Sequence, residues 1–305
     1  MASPITSGSF PRLLFGGLKN LFELELDQYP DEYTQLFDVV ESEQRYEERP
    51  QITGFGLAPR KPEGESMQFD TAQEGYTSRI TNVPYALGFK ITREAVRDNL
   101  YIDMGQRYVR WLARSMKQTK ENVSANVYNR AFTASYAGGD GKELIATDHP
   151  SLSGDQSNEL NPAATLSEAS LEDLTIQIMK AKDDRGLRIQ LQPTRLIVPT
   201  DLYYEANRIL RSELQSGTAN NDINVLRSRG VIPEVVVNHY LTDTNAFFIR
   251  TNMPTEEGLI FQQRDPLSFE EDNEFDTKNF CYSAYERYEA GWASWRGVYG
   301  STGGS

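Results

Sequence analysis

Histidine and cysteine are the scarcest reactive residues in the chain: His149, His239 and Cys281 are all it has. No His-Glu-x-x-His occurs, and two histidines with one cysteine fall short of a zinc site within one chain. Thr147-Asp148-His149-Pro150-Ser151 puts an acid, an imidazole and a hydroxyl together. Neighbours this close in sequence do not reach the geometry of nucleophile, base and orienter, so the segment reads as a turn with a satisfied histidine. Gly138-Gly139-Asp140-Gly141-Lys142 lacks the Walker spacing, and Glu143 stands where Ser or Thr should follow the lysine. Gly54-Phe55-Gly56 lacks a third glycine; both segments read as turns. Asp272 to Asp276 is similar to a calcium loop in its acids, but Thr277 replaces the required glycine and Ser283 the final glutamate. Carboxylates are abundant, yet no two are singled out as an acid–base pair. Cys281 lies in an aromatic, strand-like run and reads as a buried structural thiol. The expectation is a protein with no catalytic residue, no cofactor and no metal site, and therefore not an enzyme.

What must position these residues is a globular chain of 305 residues, 25% charged and 38% apolar, with formal charge −13. Tyr101 to Tyr136 carries six Lys/Arg against two Asp/Glu, net +4, which leaves −17 on the rest. A chain this acidic does not grip nucleic acid along its backbone, because neutralising phosphates takes clustered Lys/Arg. It can still enclose nucleic acid. Leu13-Leu14-Phe15 is cut short by Gly16 and Gly17, too brief for a signal or membrane span. A soluble protein made in the cytosol is expected.

The longest element is Tyr101–Tyr136, which has no proline and one glycine, Gly105. Met104, Tyr108, Leu112, Met116, Val123 and Val127 recur every three or four residues, the apolar stripe of one long helix. Arg107, Arg110, Arg114 and Lys117 fall on its other side. At 1.5 Å per residue it would span roughly 50 Å, more than a compact domain needs. Before it, residues 1–11 form an arm, and Leu13–Leu26 a short amphipathic helix closed by Tyr29-Pro30-Asp31. Arg45 to Thr92 reads as a long two-stranded hairpin with a Gly/Pro-rich tip around Gly54–Glu65 and a return strand over Met67–Ile91. Thr92 caps a helical lead-in, Arg93–Asp98. An isolated two-stranded hairpin is marginal in water, so one this long wants a partner surface.

Beyond the long helix, Ser167–Lys182 is an expected helix with Leu171, Leu174, Ile178 and Met179 inward. Arg195–Pro199 is a strand, and Thr200 and Asp201 cap the helix that follows it. Val235–Val237, Ala246–Ile249 and Leu259–Phe261 are three further strands, so 165–265 reads as one α+β unit. Residues 270–276 hold five acids in seven positions, and seven of the twenty residues from Phe280 to Tyr299 are aromatic. That aromatic run must pack back, most simply on the long helix.

The order of parts, with Ala86-Leu87-Gly88-Phe89-Lys90-Ile91-Thr92 before the long helix, Asp148-His149-Pro150 after it and Trp295-Arg296-Gly297-Val298-Tyr299-Gly300 at the end, resembles the major capsid proteins of tailed bacteriophages. The resemblance covers nearly the whole chain and rests on architecture more than on signature. It implies the α+β Johnson fold (Hong Kong 97-like). Residues 1–44 would be the N-arm and short helix, and 45–92 the extended loop. Residues 93–150 with 265–305 would form a peripheral domain around spine helix 101–136, and 165–265 the axial domain.

The resemblance further implies self-assembly as hexamers and pentamers into an icosahedral shell that encloses packaged double-stranded DNA. A separate scaffolding protein and a portal would act during assembly in the host cytoplasm, because the chain starts at Met1 with no fused scaffolding segment, and a decoration protein could bind outside. Arg60, Lys61, Glu63 and Glu65 at the hairpin tip, and Arg107, Arg110, Arg114 and Lys117 on the helix, are the expected intersubunit residues. Some members of the family cross-link subunits through a loop lysine and a peripheral asparagine; Lys61 with Asn273 or Asn279 occupy those regions. Two other readings stay open: a bacterial nanocompartment shell around protein cargo, and a tail-associated polysaccharide-active protein.

Overall fold

The computed structural model describes residues 11–97, 101–214, 222–274, 276–277 and 279–304. The expected arm residues 1–10, nearly all of the expected loop Gln215–Asp222 and the side chain of Met104 lie outside that set. In chain order the elements are α1 (Pro11–Asp27), α2 (Tyr33–Leu36), β1 (Asp38–Glu41), β2 (Tyr46–Ile52), β3 (Glu74–Thr81) and β4 (Val83–Ile91). Then come α3 (Arg93–Arg97), α4 (Tyr101–Asn129), α5 (Glu168–Met179), β5 (Pro193–Pro199) and α6 (Tyr203–Arg211). The last are α7 (Val225–Ser228), β6 (Glu234–Asn238), β7 (Phe247–Thr251), β8 (Leu259–Asn273), β9 (Phe280–Trp292) and β10 (Val298–Ser301).

The strands form a four-stranded sheet ordered β1-β8-β9-β4, a second ordered β10-β7-β5-β6, and a two-stranded ribbon of β2 and β3. In the first sheet β9 is central, antiparallel to both β8 and β4, while β1 runs parallel to β8. Its residues alternate: Tyr282, Ala284, Glu286 and Tyr288 point into the protein, and Ser283 and Tyr285 point out. The inward set meets α4, as the aromatic composition of this segment predicts. One end of α4 packs with α1 and β9 through Leu18, Phe22, Val109, Leu112, Met116 and Tyr282. The other end packs Tyr128 and Ala131 against Phe37, Ile145, Phe248 and Phe261.

The second sheet is covered on both sides. Leu196, Val198, Phe247 and Ile249 face α5, α6 and α7, whereas Ile197, Val236 and Phe248 face the far end of α4. All five residues of β7 are buried. The two sheets share one core, because Leu259, Phe261 and Tyr288 of the first meet Ile197, Phe248 and Val298 of the second. The chain itself passes between them: β9 ends at Trp292, a tight turn at Trp295–Gly297 follows, and β10 enters the second sheet beside β7.

Several expectations change. The long helix stops at Asn129, not Tyr136, and its 29 residues span about 43 Å. It stops because Ala131 is buried and turns its carbonyl to Ile145 N (2.9 Å), which draws the following loop under the helix. Its most buried side is rotated by about one residue from the expected stripe. Val109, Ala113, Ala125 and Tyr128 are fully covered, while Tyr108, Val123 and Val127 are half-buried at its edges. The expected return strand Met67–Ile91 is two strands with different partners, β3 in the ribbon and β4 in the first sheet. Leu259–Phe261 begins β8 of the first sheet instead of joining Val235–Val237, since alternation reports which face is buried but not which strand lies alongside. Met179 is half exposed, at the end of α5. Asp201 does not cap α6: a tight turn at Thr200–Leu202 leads into it without a side-chain cap. Thr92 does cap α3, accepting from Ala95 N at 3.3 Å.

Candidate functional site

The chemistry-bearing residues resolve into packing roles. His149 is fully buried, with Nδ1 2.6 Å from Asp140 Oδ2 and Nε2 3.0 Å from Asn158 Oδ1. Asn158 Nδ2 donates to the carbonyls of Leu144, Trp295 and Val298, which fixes its oxygen toward the imidazole and Ala146 N. The His149 ring also stacks on Trp295, centroids 4.3 Å apart. Neither ring nitrogen faces Ser151, whose hydroxyl donates to Gly154 O. This constellation welds the loop after α4 to the C-terminal turn, and it cannot run acyl transfer. Asp148 turns away to Lys142, whose hydrogen bond holds the carboxyl below its usual range.

Gly138 and Gly139 are close-approach glycines. A Cβ on Gly138 would lie 2.6 Å from Trp292 Nε1, and one on Gly139 2.7 Å from Ser78 Oγ of the ribbon. Asp272 to Glu274, Asp276 and Thr277 lie at the end of the β8–β9 hairpin, where Lys90 pairs with Glu274 at 2.9 Å. Cys281, on β9, is half-buried instead of fully buried. Among the described residues no group of three or more His, Cys, Asp or Glu is arranged for a metal, and no helix is long and apolar enough to cross a membrane.

The functional candidates are therefore surfaces, and the ribbon is the first. Its root is fixed: Ile80 packs on Ile260 and Ala293, Ser78 Oγ donates to Ala293 O at 3.0 Å, and Gln51 Nε2 to Asp184 Oδ2 at 2.8 Å. Arg185 holds the returning segment ahead of β3 through Asp70 Oδ2 (2.6 Å) and Thr71 O (2.7 Å). Arg296, buried over Trp295, in turn fixes Asp184 at 2.8 Å. Beyond that root, residues 53–73 run without helix or strand and expose large apolar side chains: Leu57 is 83% and Phe69 89% accessible, and Phe55 and Met67 stand out beside them. Arg60, Lys61, Glu63 and Glu65 are exposed on the same stretch, and neither cation has an ion-pair partner among the described residues.

The second surface is the outer side of α4. Arg107, Arg110 and Arg114 are exposed and have no carboxylate partner among the described residues, and Trp111 lies between them 61% accessible. Lys117 is different from its expected role. It is spent inside its own chain, donating to the carbonyls of Leu26 and Tyr29 at the end of α1 and pairing with Asp31 at 3.2 Å. A cation there suits the negative end of that helix.

A buried carboxylate junction between the arm, α4 and the second sheet carries no sequence motif. Glu121, on α4, accepts from Glu32 N at 2.9 Å, and Glu32 accepts from His239 through the backbone N (3.0 Å) and ring Nδ1 (2.6 Å). Burial pushes the Glu121 carboxyl up to about 7 against these hydrogen bonds, with Glu32 and Asp31 adding to the rise. Next to it on α4, Lys120 pairs with the fully buried Glu286 at 2.6 Å; burial raises that carboxyl and Lys120 opposes the rise. The one signal in the sequence was a charged pair, Lys120-Glu121, inside a helix face that is otherwise apolar or small.

Read together, the chain has a rigid two-sheet body and a projecting apolar ribbon that it cannot cover itself. The family model for phage capsid proteins matches residues 75–301. The chain belongs to that family. No curated protein matches its sequence. Among solved structures it is similar to a virus-like particle from Pyrococcus furiosus, with a TM-score of 0.56 at 12% identity over 94% of this chain and 98% of that one. It is likewise similar to the capsid of a native GTA particle, with a TM-score of 0.53 at 12% identity over 88% of each chain. The capsid of Myoviridae phage XM1 gives 0.50 at 10% identity, over 90% of this chain and 92% of that one. The fold is the Johnson fold of tailed-phage major capsid proteins, and the role of this phage capsid protein is structural, as part of a capsid shell.

Proposed function

We propose that this capsid protein assembles as hexamers and pentamers into an icosahedral shell that encloses packaged double-stranded DNA. The observation that carries the reading is the ribbon tip, where Phe55, Leu57, Met67 and Phe69 stand in solvent on a stretch without helix or strand that Arg185 holds at Asp70 and Thr71. Side chains of that size, gathered on one projection, are stable in water when a second surface covers them. In the shell the extended loop is 45–92, the peripheral domain is 93–150 with 265–305 around the spine helix, and the axial domain is 165–265. The arm is 1–44. Arg60, Lys61, Glu63 and Glu65 meet charges of the adjacent subunit, as do Arg107, Arg110 and Arg114. The net charge of −13 suits a lumen that holds DNA without gripping it. Assembly in the host cytoplasm uses a separate scaffolding protein and a portal, and the outer surface is open to a decoration protein.

Negative-stain microscopy of particles recovered from cells that make the chain together with its scaffolding, portal and packaging proteins, with a nuclease-protection assay on those particles, tests this. Closed shells holding protected DNA are expected; monomers or trimers at all concentrations would overturn the reading. A second reading, a shell around protein cargo, is favoured by the shared fold with the Pyrococcus furiosus virus-like particle. It predicts shells without nucleic acid and with a co-purifying protein. Reversing Arg60 and Lys61 together to Glu is expected to lower shell yield; unchanged yield would remove both residues from the interface.

A further inference from the structure

We infer that the Arg107–Arg110–Arg114 face of α4 receives the acidic end of the β8–β9 hairpin, Glu270 to Asp276, from a second copy of this chain. The inference rests on the shell reading above and names the partner surface for it. Cations on α4 fall into two groups. Lys117 and Lys120 have carboxylate partners in their own chain, Asp31 at 3.2 Å and Glu286 at 2.6 Å. Arg107, Arg110 and Arg114 have none among the described residues, and they sit one turn apart on one exposed stripe. The exposed Trp111 indole lies within that stripe, and Trp and Arg are both among the residue types enriched where binding energy concentrates at protein interfaces.

The acids show the converse imbalance. In the hairpin end Glu270, Asp272 and Asp276 are exposed and Glu271 is half-buried, and among the described residues the cation paired there is Lys90, on Glu274. The two sets cannot meet within one chain. Phe269 points inward to stack on Phe22 in the cluster that also contains Leu112 and Met116, so Glu270, its neighbour on β8, points to the opposite side of the sheet. The arginines lie on the side of α4 turned away from that same cluster. Base and acid thus occupy opposite outer sides of one helix-on-sheet layer. Complementary patches on different sides of a molecule make head-to-tail contacts, the type that closes into rings. Nucleic acid is the weaker occupant: three charges on a chain of −13 neutralise few phosphates.

A charge-swap experiment on the full chain tests the pairing. Reversing the base set (R107E, R110E, R114E) or the acid set (E270K, D272K, D276K) is expected to lower shell yield by at least about tenfold, and combining both sets to restore most of it. Unchanged yield in either single set, or no rescue in the combination, overturns the pairing. Shells that form normally from the base-set variant but lose their nuclease-protected DNA assign the stripe to nucleic acid and overturn it as well. Thermal unfolding of each variant separates misfolding from lost contact. If a reversed set unfolds, E270Q/D272N/D276N and a cysteine pair replace it. Arg110→Cys with Asp272→Cys, in a Cys281→Ser background, should oxidise to an intermolecular ladder, and a monomer band alone counts against the contact. Absence of shells from the unaltered chain defeats the shell reading itself, whereas the ladder reports on the contact in whatever oligomer is present.

Discussion

The second sheet and the ribbon make opposite use of similar residues. In the sheet, β7 is buried along its whole length, and every apolar side chain it carries meets another from the same chain. On the ribbon tip, Leu57 and Phe69 meet water. Apolar content alone therefore says little about where a capsid subunit keeps its stability. The sheet is a place where the chain has completed its own core; the tip is a place where completion is left to a neighbour. Folding and assembly are consequently separable by mutation.

The widest separation is expected from Phe248→Ala. That ring touches Tyr128 and Phe132 across the shared core, and its loss should lower subunit stability by about 3–5 kcal/mol, read by denaturant unfolding. A smaller but still large loss, about 2–4 kcal/mol, is expected for Asn158→Ala. It strands the carbonyls of Leu144, Trp295 and Val298 and one side of His149. Little change there would show that the junction is not what holds the loop after α4 to the C-terminal turn.

Glu121→Gln should act in the other direction. Because the folded carboxyl titrates at about 7 and the unfolded one at 4.5, the folded chain binds the extra proton between those values. Its contribution is thus greatest below 4.5 and falls as pH rises to about 7. The glutamine variant should flatten that slope and be more stable than the parent at pH 8 by about 1–3 kcal/mol. An unchanged pH–stability curve would refute it. The smallest expected effect on stability, within about 0.5 kcal/mol, belongs to Leu57→Ser with Phe69→Ser, while shell yield collapses. If that pair destabilised the isolated subunit, the contrast between sheet and tip would fail.

What the sequence carried follows the same division. Features set by local pattern were legible: the long helix, the helix after Ser167, the cap at Thr92, the strand through Leu196-Ile197-Val198 and the packing of the aromatic run on the long helix. Features set by partners distant in sequence were not. Nothing local in Leu259–Phe261 tells whether it lies beside Val39 or beside Val236, and its place in the first sheet is decided by the long antiparallel pairing of β8 with β9. The same holds for Lys117, whose acceptors on Leu26 and Tyr29 are about ninety residues away. His149 was legible as a satisfied histidine but not as part of a junction, because Asp140 and Asn158 announce themselves only once the loop has folded under α4. The candidate surfaces were readable as charge and as a hairpin in need of a partner; the exposed apolar side chains of its tip and the geometry were not.

The strand order β1-β8-β9-β4 also sets a timetable. Strands β1 and β4 leave the ribosome more than 160 residues before the strands that join them, and β10, which completes the second sheet, comes later still. Such long-range pairing is slow to form. During synthesis the spine and the ribbon are therefore present without the sheet they rest on, and the apolar tip has no rigid root from which to reach a neighbour. The ribbon is seated on its root, Ile260 and Ala293, only after β8 and β9 have been made, and until then the unpaired edges of β1 and β4 are open to non-native association.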